Sequence, residues 1–180
     1  MLQITIPAAE MWDERIEEFV YAKEQTIQLE HSLLSLSKWE SKWGKPFLSK
    51  NKLTDEETLD YIRCMTVTPN IHPDTYARLS KENIDQIVEY IHAPMTATTF
   101  REDPNAKKSR EVITAELIYY WMITAGIPNE YQKWHLNKLI TLIRVCGIKN
   151  APPKKMNKSE IMRRNSAINA SRLAQLNSRG

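Results

Sequence analysis

The sequence predicts a mainly α fold. A small N-terminal antiparallel β meander (residues 1–30) precedes a four- to five-helix domain (31–148) and a basic C-terminal extension (149–180). Three observations predict this. Apolar residues alternate at period two at the start of the chain and recur at helical spacing from Ser32 onward. Cap and stop residues divide the second region into helix-length segments. The charge also splits: residues 149–180 carry eight Lys or Arg and one acid, net +7, against net −4 for residues 1–148.

In "LQITI", Leu2, Ile4 and Ile6 alternate with Gln3 and Thr5. "RIEEFVYA" and "TIQLE" are β-rich runs of strand length, with "WDE" and "AKEQ" as turns between strands. So short a sheet is marginal alone and must rest on the helices or on another subunit. From Ser32, "SLLSLSKWESKWGKP" places Leu36, Trp39 and Trp43 on one helical face, with Gly44 and Pro46 as the stop. "TDEETLDYIRCM" opens with a Thr54–Glu57 capping box, and Ser80 caps "KENIDQIVEYIH". The aperiodic stretch from Ala93 to Lys108, with two prolines, reads as a long loop.

The stretch "VITAELIYYWMITAGIPN" has one charge, Glu116, and approaches the length of a membrane span. Glu116 and the break at Gly126–Pro128 argue instead for the central helix of a soluble domain, covered on all sides. Ser109 is its expected cap. Asn129 is the expected cap of a second, amphipathic helix, "EYQKWHLNKLITLIRVC", ended by Gly147, and the short connection predicts an antiparallel hairpin. The extension begins with the stiff spacer "NAPPKKM" and continues as a ragged helix after Asn157.

Composition narrows the function. The chain is 42% apolar and 26% charged, with five Trp and seven Tyr, which fits an ordered globular protein rather than a disordered one. Cys64 and Cys146 sit in helical apolar patterns, as reduced packing thiols do. The four histidines are scattered and no CxxC occurs, so no metal set is expected. Three of the four glycines end helices, which leaves no phosphate-binding loop. No catalytic constellation or cofactor motif is present, and the expectation is a binding protein, not an enzyme. The candidate partner-binding residues are those of the extension: Lys154, Lys155, Lys158, Arg163, Arg164 and Arg172 to steer, and Ile161, Ile168, Leu173 and Leu176 to hold. An acidic protein surface, including that of a second copy, is the favoured ligand. Nucleic acid is the competing one, disfavoured because no aromatic residue among residues 149–180 is available to stack on bases.

Taken in order, "LEHSLLSLSKWESKWGKPFL", "ETLDYIRCM", "ITAELIYYWMITAGIP", "EYQKWHLNKLITLIRVCGIKN" and "PPKKM" resemble a family of proteins from long-tailed bacteriophages described as tail assembly chaperones. The resemblance covers about residues 29–164 and is weaker at both ends. It implies a non-enzymatic protein that binds the tape measure protein in the host cytoplasm and keeps it soluble while tail tube subunits polymerise around it. The alternative is a virion subunit, attached to capsid or tail, whose basic extension touches a neighbour or packaged DNA. The family brings no defined functional residues to carry over.

Overall fold

The computed structural model describes residues 1–13, 17–49, 52–100, 111–152 and 157–176. The chain divides into two compact units, Met1–Ile148 and Lys149–Gly180. The fold is mainly α with a small antiparallel β region at the N-terminus.

The strands are β1 (Leu2–Ile6), β2 (Ala9–Asp13), β3 (Glu18–Ala22) and β4 (Gln25–Leu29). They are antiparallel, as expected, but nested rather than arranged as a meander. β1 pairs with β4 from Leu2↔Leu29 to Ile6↔Gln25, and β2 pairs with β3 from Ala9↔Ala22 to Asp13↔Glu18. One register runs through both pairs, so the segment is a single long hairpin with one gap. Pro7 explains the gap, because it has no N–H to donate to a ladder. Arg78 spans it: Nη1 donates to the carbonyls of Pro7 at 3.0 Å and Lys23 at 3.2 Å. Trp12 and Asp13, read as part of a turn, belong to β2.

β1 and β4 bury Ile4, Ile6, Ile27 and Leu29 against the helices while Thr5 and Thr26 pair on the outer face. β4 also ties into the helical region, with the Val67 N–H donating to the Gln28 carbonyl at 2.8 Å.

The helices of this unit are α1 (Leu33–Trp43), α2 (Asp55–Met65), the single turn α3 (Asp74–Ala77), α4 (Lys81–His92), α5 (Ala115–Thr124) and α6 (Leu136–Asn150). α1, α2 and α4 start where the sequence places them. Ser32, Thr54 and Ser80 each accept a hydrogen bond from the third amide of their helix, and the side chain of that third residue bonds back. Gly44 (φ 61°) and Gly126 (φ 66°) take the left-handed conformation that ends a helix at no steric cost.

The region after residue 110 differs from expectation. α5 is capped by Thr114, through a 3.4 Å bond from the Leu117 N–H, and Ser109 lies outside the described residues. Asn129 does not cap an α-helix; it opens a 3₁₀ turn, Asn129–Lys133. α6 then starts at Leu136 and passes through Gly147, because Ile148–Asn150 continue helically and no proline intervenes before Pro152. α5 and α6 do not pack extensively on each other as the expected hairpin would. Trp134 is extended, His135 bridges to Ser32, and the Leu136 N–H donates to the His31 carbonyl at 2.7 Å. α6 is therefore launched from the start of α1, while α5 packs on α1. Asn137 of α6 donates to the carbonyls of Ile91 and Ala93 at 2.9 and 2.8 Å, which ties the start of α6 to the end of α4.

In the second unit, α7 (Lys158–Leu176) begins directly after Asn157, whose carbonyl accepts from the Ile161 N–H at 3.1 Å.

Candidate interaction surfaces

A rigid polar frame fixes the surfaces of the first unit. Glu40 of α1 is buried; its two carboxylate oxygens accept from the Phe47 N–H at 2.8 Å and from the Ala115 N–H at 2.7 Å. Ala115 is the first residue of α5, so a carboxylate sits at the positive end of that helix and fixes its position on α1. Beside it, Trp39 Nε1 donates to the Glu57 carbonyl and Trp43 Nε1 to Asp60, both at 2.9 Å. Lys45 and Lys42 pair with the Glu57 and Asp60 carboxylates. The Lys45 hydrogen bond holds the Glu57 carboxyl below the usual range. At Asp60, burial acts upward, but the bonds from Lys42 and Trp43 outweigh it.

His31 and His135 meet where β4, α1 and α6 join, with ring centroids 5.1 Å apart. His31 Nδ1 shares a 2.6 Å hydrogen bond with the Tyr61 hydroxyl, and His135 Nε2 lies 3.0 Å from the Tyr90 carbonyl. Burial, with His135 and His92 adding repulsion, pushes His31 down to about 3, and burial also lowers His135. Both imidazoles are therefore neutral at pH 7. They are shut inside the frame and serve as struts.

The apolar stretch reads differently in three dimensions. α5 is not covered on all sides. Ala115, Ile118 and Met122 are buried, Leu117, Tyr119 and Trp121 are half-buried, and Tyr120 and Ile123 are 61% and 78% exposed. Glu116 and Tyr120 are four residues apart and Ile123 three further on, so they share one outward face. Glu116, the one charge of the stretch, is itself exposed.

A second open surface is an apolar groove of about 440 Å³ between α2 and α4. Phe47, Leu53 and Ile62 form one side, and Ile84, Val88 and Ile91 the other. The sequence shows each helix's apolar face, but the excess of those faces over their contacts is a tertiary property.

Of the candidate residues in the extension, Lys154 and Lys155 lie outside the described residues, and the others are on α7. At about 100° per residue, Ile161, Ile168 and Leu176 share one row with Arg172. Leu173 falls beside Met162 on a neighbouring row, and Arg163 on the far side. All four expected holding residues are exposed: Ile161 44%, Ile168 39%, Leu173 42% and Leu176 75%.

Among the described residues, no group of three or more His, Cys, Asp or Glu is placed to hold a metal ion, and no helix is long and apolar enough to cross a membrane. Cys64 and Cys146 are free and half-buried, and burial raises the Cys64 thiol away from reactivity. No family model, curated protein or solved structure matches the chain.

Proposed function

We propose that this chain is a non-enzymatic protein of phage morphogenesis that holds a helix-rich tail protein, the tape measure protein, during tail assembly. The observation that supports this reading is the uncovered face of α5. Tyr120 and Ile123 stand in solvent on a helix whose other side is locked in place by Glu40 and α1. A rigid helix with exposed aromatic and aliphatic side chains suits the capture of another helix's apolar face. The sequence resemblance points the same way. The alternative, a virion subunit, draws on the net +7 of the extension, which suits a structural neighbour or packaged DNA.

Mass spectrometry of purified particles, paired with co-purification from infected cells, separates the two. Absence from particles, together with recovery of the tape measure protein by the wild-type chain but not by Tyr120→Asp/Ile123→Asp, supports the chaperone. A fixed copy number in the particle supports the virion subunit and overturns the chaperone reading.

A further inference from the structure

We propose that the groove between α2 and α4 is the seat for α7 of a second copy of this chain. The groove and the helix each lack what the other offers. The groove's apolar floor opens to solvent, with Val88 44% exposed. α7 carries Ile161, Ile168 and Leu176 on one exposed row, and a 19-residue helix of such sequence holds poorly without a surface to cover that row. Ile161 and Ile168 are about 10.5 Å apart along the helix axis at 1.5 Å per residue. That is the i, i+7 anchor spacing of a helix lying in a groove.

Charge identifies the occupant. α2 carries Asp55, Glu56, Glu57 and Asp60 against Arg63, and α4 carries Glu82, Asp85 and Glu89 against Lys81. Lys42 and Lys45 satisfy only Asp60 and Glu57. Asp55 lies on the helical row of the lining residues Thr58 and Ile62, and Asp85 on that of Val88 and His92. Lys52 is the one Lys or Arg among the lining residues. α7 brings Lys158, Arg163, Arg164 and Arg172 against Glu160, with Arg172 on the same row as the isoleucines. Basic and apolar residues on one helix thus match an apolar groove between two helices that are each net acidic. The spacer before α7 contains consecutive prolines, which favour extension. Reciprocal exchange between two copies fills both grooves and closes the assembly as a dimer. This contact is between copies of the chain and does not depend on which protein α5 holds.

The test is light scattering of the full chain after size-exclusion chromatography, from about 1 to 100 μM. The wild-type chain is expected to dimerise. Val88→Glu in the groove and Ile168→Glu on α7 should each weaken the dimer by about tenfold or more. Both positions already reach solvent, so each variant should still melt cooperatively by circular dichroism, losing only the helicity and the mass-action stability that docking of α7 adds; if Val88→Glu does not fold, Asp85→Lys carries the groove arm. Mixing the two variants at high concentration should recover part of the dimer, because in a mixed pair the contact between α7 of the Val88→Glu copy and the groove of the Ile168→Glu copy is intact while the reciprocal contact carries both substitutions. A wild-type chain that stays monomeric overturns the proposal, whether α7 is free or lies on its own groove. So does a dimer indifferent to both substitutions, or a mixture that recovers no dimer.

Discussion

Helices α1 and α5 reverse what their sequences suggest. α1 has three charged residues among eleven, Lys38, Glu40 and Lys42, yet it lies at the centre of the first unit with Leu33, Leu36 and Trp39 fully buried. α5 has one charge among ten and leaves Tyr120 and Ile123 in solvent. The difference shows that burial follows from what surrounds a helix, not from how apolar it is. α1 buries its inner face because its charges are either satisfied at the edge of the core or turned to solvent. Glu40 accepts two backbone N–H groups and Lys42 pairs with Asp60, while Lys38 reaches outward. α5 has apolar surface beyond what the elements packed on it cover.

The largest expected effect tests the centre. Trp39 packs edge-on against Phe47 and Tyr61 and donates to the Glu57 carbonyl. Trp39→Ala should cost about 3–5 kcal/mol of stability in a denaturant titration. A loss below about 1 kcal/mol would mean that α1 is not the centre of the core.

Glu40 tests the link between the two helices. Glu40→Ala leaves the Phe47 and Ala115 N–H groups without their acceptor, and α5 loses its anchor. The expected cost is about 2–4 kcal/mol, since each orphaned buried donor costs about 1–3 kcal/mol. Hydrogen exchange should show the start of α5 loosened more than α2. Equal loosening of both would break the assigned role.

The histidine pair gives a pH signature. His31 and His135 bind protons more readily unfolded than folded, so the stability they allow is complete above the unfolded value near 6.5 and is lost as pH falls toward about 3. Between pH 6 and 4, stability should fall by roughly 1–2 kcal/mol per pH unit. His31→Gln should flatten that slope, and an unchanged slope would place the titrating groups elsewhere.

What the sequence made legible was local. The caps at Ser32, Thr54 and Ser80, and the left-handed stops at Gly44 and Gly126, depend on a few adjacent residues, and all were readable. Strand order was not, because alternation in "LQITI" names a face and not a neighbour; Pro7 was the overlooked sign that one hairpin ran through a gap. The α5–α6 hairpin failed for a related reason. A short connection usually makes neighbours of two helices, but here the extended Trp134–His135 step attaches the chain to the start of α1. The apolar row of α7 was visible as residues, but the α2–α4 groove, built by two segments apart in sequence, was not.

The smallest expected effect on stability is the one that most sharpens the comparison. Tyr120 and Ile123 are among the largest side chains of the most apolar stretch of the chain, so a reading from hydrophobicity alone assigns them to the core and expects several kcal/mol for their loss. Their exposure of 61% and 78% says otherwise. Tyr120→Ser and Ile123→Ser should each change stability by no more than about 0.5 kcal/mol, as surface substitutions do. They should also reduce binding of the hydrophobic dye ANS and raise solubility, because each removes apolar surface from water without opening a cavity. A destabilisation above about 2 kcal/mol from either would show that the outer face of α5 is packed within the fold, and α5 would then have no surface to offer a partner. A neutral result in stability with lost partner binding would separate the two roles of one helix: an inner side that holds the fold and an outer side free to hold something else.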